Sequence, residues 1–138
     1  MENKETIRIV YVEPNKAARI IDLGTDLEDM QRAVGGMIEG VYPFDEPVCL
    51  VCNDEGKYNG SLPNRALYDD EGEIWDVVYG PFFICDATGE NFGSLTEEQL
   101  ERYSQKYAKP ERFFMRNNRI IAVPYEPGVT IRTEREER

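Results

Sequence analysis

The chemistry this sequence offers is concentrated in Leu62-Pro63-Asn64-Arg65-Ala66-Leu67, where a guanidinium follows an amide. Arg65 and Lys57 are the only cations between Ala33 and Glu101, a segment that holds fifteen Asp and Glu residues. A guanidinium recognises carboxylate or phosphate through two parallel hydrogen bonds, and an Asn side chain reads a donor–acceptor edge. Asn64 and Arg65 would therefore anchor a small anionic ligand such as a nucleotide, with Glu39 and Asn53 completing the pocket. An equally weighted alternative is internal: Arg65 pairs with Glu39 or Asp69, and Asn64 holds a loop by bonding its backbone.

Other chemistries are excluded or unsupported. The chain has no histidine, so Ser-His-Asp and Cys-His mechanisms are out of reach. Carboxylates are so abundant that no glycosidase-like pair stands out. Gly35-Gly36 follows a predicted helix instead of opening one, the wrong side for holding phosphate, and Asn53-Asp54-Glu55-Gly56 lacks the alternating ligands of a calcium loop. Cys49 and Cys52 have C-x-x-C spacing but lie in the strand-like run Val48-Cys49-Leu50-Val51-Cys52, where residues three apart point to opposite faces. Buried structural thiols are expected there. No catalytic residue, metal or cofactor is assigned; an enzymatic reading, with Glu39 as acid or base, ranks last.

Charge suggests a second function. With 27 acidic and 16 basic residues the chain carries −11, which opposes binding to nucleic acid or to anionic membranes. Fifteen acids against two bases put −13 between Ala33 and Glu101 and leave +2 elsewhere. A solvated face explains this most simply. The sharper reading is an acidic protein–protein effector of the DNA-mimic or anti-restriction type, acting on a host protein through Asp69, Asp70, Glu71, Glu73 and Asp76. The sequence shows no secretory signal or membrane span, so a cytoplasmic protein is expected.

The elements that must position these residues are read as follows. Ile7–Val12 and Ala17–Leu23 predict a hairpin turning at Glu13-Pro14-Asn15. Thr25-x-x-Glu28 forms a capping box that opens a helix with Leu27, Met30 and Val34 on one face, and Gly35 suits the left-handed position after it. Met37–Tyr42 and Val48–Cys52 predict strands, the second covered on both faces. Residues 57–72 predict a long loop, with one helical turn beginning at Pro63. Ile74–Cys85 predicts two strand halves broken at Gly80-Pro81, with their aromatics in the core. Thr96-x-x-Gln99 caps a second helix that buries Leu100, Tyr103 and Tyr107 and stops at Pro110. Residues 113–116 and 120–123 predict a last hairpin about Asn117-Asn118, whose edge a dimer could use, although nothing in the sequence requires one.

Five blocks together carry a resemblance: Val34-Gly35-Gly36-Met37-Ile38-Glu39, Tyr42-Pro43, Asn53-Asp54-Glu55-Gly56, Leu62-Pro63-Asn64-Arg65-Ala66 and Gly80-Pro81-Phe82-Phe83-Ile84. The chain resembles the domain of unknown function 3846 family from about Ile7 to Val123. That resemblance implies a setting in bacteria, phages and mobile elements, and no established activity. The combined expectation is one α+β domain over residues 1–125, with a mainly antiparallel or mixed sheet of six or seven strands covered by two helices, and a charged, mobile tail over 126–138. The leading function is a non-enzymatic accessory protein of a phage or mobile element that sequesters a small anionic ligand; the alternative is the acidic effector.

Overall fold

The computed structural model describes residues 4–127. Within them lie nine strands and two helices: β1 (Thr6–Val12), β2 (Arg19–Gly24), α1 (Leu27–Val34), β3 (Ile38–Val41), β4 (Val48–Asn53), β5 (Pro63–Tyr68), β6 (Ile74–Tyr79), β7 (Phe82–Asp86), α2 (Glu97–Lys106), β8 (Glu111–Arg116) and β9 (Arg119–Pro124). The tail expected from residue 126 lies, from residue 128 onward, outside the described residues.

The chain is α+β and mostly antiparallel, but its strands do not form one sheet. Five make a sheet in the order β2-β1-β7-β4-β3, while β5-β6 and β8-β9 are separate two-stranded ribbons. Gly80 causes the first separation. At φ +83 it takes a left-handed turn that a side chain resists, and Pro81 then withholds a ladder donor, so β6 leaves toward β5 while β7 enters the middle of the large sheet.

Alternation along the central strands fills two cores. On one face Val10, Val12, Leu50, Phe82 and Ile84 meet Leu100 and Tyr103 of α2 and Tyr107 at its C-terminal cap, with Leu67 of β5 and Val78 of β6 beside them. On the other face Ile9, Val51, Phe83 and Cys85 meet Met30 and Val34 of α1. All six residues of β4 are buried, as a continuously apolar strand requires. Cys49 and Cys52 divide between the two cores and are free thiols. Burial pushes the Cys52 thiol up to about 12, far from a nucleophile's range.

Local signals hold unevenly. The α2 box forms: Thr96 Oγ1 accepts from the Gln99 N–H at 3.1 Å, and Gln99 Oε1 accepts from the Thr96 N–H at 3.0 Å. The box expected at Thr25 does not. Asp26 occupies the cap position without a side-chain bond, and Leu27 is 56% exposed at the helix start. Gly35 ends α1 at φ +83 as anticipated. Asn117 and Asn118 both take positive φ, at 53° and 65°, suiting the twist of the β8-β9 hairpin.

One surface network gives a pH prediction. Glu46 accepts hydrogen bonds from Arg102 at 2.6 Å, from Gln99 at 3.1 Å and from the Tyr103 hydroxyl, tying the β3–β4 loop to α2. Arg102, then Tyr103 and Gln99, hold the Glu46 carboxyl down at about 2, against an ordinary 4.5. Its contribution is therefore complete above the unfolded value and is lost as pH falls through about 2. Between pH 5 and 2 the parent should lose about 1–2 kcal/mol more stability than Glu46→Gln, a figure that allows for partial exposure. Urea midpoints measured at the two pH values check this; equal slopes would remove Glu46 from the acid response.

Candidate functional site

Asn64 and Arg65 lie in a strand. Residues 57–72, expected to be one long loop, contain β5 at their centre, and both side chains are sealed beneath it: Asn64 is 1% exposed and Arg65 0%. Asn64 Nδ2 donates to the carbonyls of Val12 at 3.0 Å and Gly80 at 2.9 Å, while its Oδ1 accepts from Arg65 Nη1 at 2.7 Å. Arg65 Nη2 donates to the carbonyls of Lys16 and Tyr107, both at 2.7 Å. Nε has no acceptor.

These bonds join the end of β1, the turn after it, the β6–β7 corner and the C-terminal end of α2. The pair is a clamp between distant backbone segments. Arg65 meets carbonyls instead of Glu39 or Asp69, so the internal alternative holds in its backbone part and not in its ion pair. Burial lowers the Arg65 pKa, and the nearby Glu111 carboxylate opposes that. Glu111 is itself raised by burial while its Oε1 accepts from the Ala66 N–H at 2.9 Å.

The four-residue pocket is therefore divided. Glu39 and Asn53 line a cavity of about 230 Å³ between the β3 edge and β6, with Lys57, Tyr58 and Asp76. Asn64 and Arg65 do not reach it. Asn53 is also committed, since its Nδ2 donates to the Val34 carbonyl at the end of α1 at 3.2 Å and its Oδ1 accepts from the Glu55 N–H at 2.8 Å. Lys57, the cavity's cation, pairs with Asp76 at 2.5 Å. A cavity bearing Glu39, Asp54 and Asp76 against one engaged lysine suits a cationic or neutral group better than an anion.

The acidic set also divides. Asp69, Asp70, Glu71 and Glu73 are exposed on the β5–β6 turn, whereas Asp76 is half-buried beside the cavity. Asp69 stiffens the turn: its Oδ1 accepts from the Glu71 N–H at 3.0 Å and the Glu73 N–H at 2.9 Å, and Gly72 takes φ +81. Four carboxylates thus stand on an ordered turn instead of a frayed loop. Beside them Trp75, expected in the core, is 51% exposed. It lines an open groove of about 550 Å³ between β6 and the β8-β9 hairpin, together with Ile74, Ile120 and Arg119.

Sequence reasoning missed Trp75 and Lys57 as lining residues, and read the hairpin only as an edge that a dimer could use. Strict alternation from Val78, which faces the core, would have put Trp75 on the outer face; the run of aromatics obscured it.

Among the described residues no cluster of three or more Cys, Asp or Glu is arranged to hold a metal ion, and no helix is long and apolar enough to cross a membrane. The model of the domain of unknown function 3846 family matches residues 7–108. The chain belongs to that family. The matched segment runs from β1 through α2 and ends before β8, so the hairpin bordering the groove lies beyond the part of this DUF3846 protein that the family model covers. No curated protein and no solved structure matches the chain.

Proposed function

We propose that this DUF3846 protein is a non-enzymatic effector that binds a basic host protein through the β5–β6 turn, with Asp69, Asp70, Glu71 and Glu73 supplying charge and Trp75 an apolar anchor. One observation carries the reading: four exposed carboxylates sit on a turn ordered by Asp69, and a half-exposed tryptophan follows the last of them after Ile74. Carboxylates in that density attract a basic groove and speed encounter, while a large aromatic contributes to affinity at the centre of a contact. The sealed position of Arg65 supports the same choice, because it removes the cation on which capture of an anion depended.

Capture on immobilised protein from a bacterial lysate tests this, comparing the parent with a variant carrying Asp69→Lys, Asp70→Lys, Glu71→Lys and Glu73→Lys. The parent should retain a protein that heparin displaces, and the reversed variant should bind it at least tenfold more weakly. Equal retention by both, or none by the parent, would overturn the proposal.

A second reading rests on the cavity at Glu39 and Asn53. Its volume of about 230 Å³ is below the range of most small-ligand sites. Under this reading a compact amine or neutral ligand occupies it, and thermal-shift screening is the corresponding measurement.

A further inference from the structure

The hairpin tip and the β5–β6 turn are two neighbouring clusters of opposite sign, each short of ion-pair partners among the described residues. Arg116 and Arg119 lie directly opposite one another across the Asn117-Asn118 turn, an arrangement that is unfavourable between like charges unless an anion comes between them. Both are exposed. Arg119 meets Glu73 of its own chain at 3.4 Å, and among the described residues this is the single ion pair that either arginine makes. Across the groove the turn offers Asp69, Asp70 and Glu71 with no cation paired to any of them among the described residues.

Between the clusters the groove carries Ile74, Trp75 and Ile120 alongside the polar Lys57 and Asp76, and Met115 stands across the hairpin ladder from Ile120. Trp75 is 51% exposed, Met115 67% and Ile120 42%, a concentration of large exposed hydrophobics that usually marks a contact surface. A patch with an apolar centre, an acidic side and a basic side is complementary to itself when rotated by half a turn, because every contact made by one copy is then returned by the other.

We propose that a second copy of this chain docks on the groove, forming a two-fold dimer in which each hairpin tip, Arg116 and Arg119, meets the partner's β5–β6 turn. Trp75 and Ile120 of the two copies face each other at the centre. Apolar contact supplies the affinity, and the charges set the register. The dimer covers the turn proposed above to bind a basic host protein, so self-association and partner binding compete for one surface. The oligomer is observed on the free protein, which keeps this test separate from the capture experiment.

Light scattering on the eluting full chain tests it, with two variants made on the surface: one carrying Arg116→Glu and Arg119→Glu, the other Asp69→Lys, Asp70→Lys, Glu71→Lys and Glu73→Lys. The parent at about 100 µM should elute at twice the 15.9 kDa chain mass. Each variant alone presents like charges to itself and should elute at the chain mass. Mixed in equal amounts, an all-acidic patch meets an all-basic one, and the doubled mass should return. A parent at the chain mass, variants that remain dimeric, or a mixture that stays monomeric would each overturn the dimer; an anion site confined to the hairpin tip gives the first of these results.

Discussion

Arg65→Ala is expected to lower stability by about 4 kcal/mol or more, which is most of the margin of many domains of this size. The change removes the donor to the Lys16 and Tyr107 carbonyls and to Asn64 Oδ1; Tyr107 keeps its bond from the Ala18 N–H, but Asn64 Oδ1 is left buried without a partner, the Lys16 carbonyl loses its donor, and a void opens where the side chain was. At about 3 °C per kcal/mol for a chain of this length, the melting temperature should fall by about 12 °C. Arg65→Lys should fall between parent and alanine, because one ammonium cannot match the planar fork that reaches all three acceptors. Urea unfolding followed by circular dichroism reads both. An unchanged midpoint in Arg65→Ala would overturn the clamp and return Arg65 to the role of ligand anchor.

Gly56→Val is the second large effect. A Cβ at Gly56 would sit 2.5 Å from the Tyr79 carbonyl oxygen and 3.3 Å from its carbon, where the obstacle is backbone and cannot rotate away. The loop after β4 and the end of β6 would have to separate, at about 2–3 kcal/mol, as overpacked cores do. Gly60→Asn is the matched control: nothing lies within 4 Å of a Cβ there, and asparagine tolerates the φ of +86, so its cost should stay below about 1 kcal/mol. Chemical denaturation of the two variants gives the comparison. Equal losses would show that the approach to Tyr79 is not maintained in solution.

Both sites show how far local reasoning reaches. The two hairpins, the covered β4, the left-handed Gly35 and the Thr96 capping box all depend on neighbours within a few residues, and each was legible. Thr25-x-x-Glu28 was equally legible as a capping motif and did not form, because Asp26 occupies the cap position and the helix begins at Leu27. β5 was hidden for a different reason. Its Asn64 and Arg65 read as solvent-facing loop residues, since the acceptors that allow their burial lie 52 and 16 residues from Asn64, and 49 and 42 from Arg65. A buried polar group becomes tolerable only when its partners are in place, and no window of sequence contains these.

The sequence by itself determined the α+β class, the order of the elements other than β5, the opposed faces of Cys49 and Cys52, the acid-rich middle of the chain and the family, because composition, periodicity and turn chemistry are properties of short stretches. Tertiary structure alone decided that the strands divide five, two and two, that Asn64 and Arg65 bind backbone from four distant places, and that Trp75 stands beside four carboxylates at an open groove. Those outcomes turn on which distant groups meet, and a solvated Arg65 or a buried Trp75 would have satisfied the local pattern equally well.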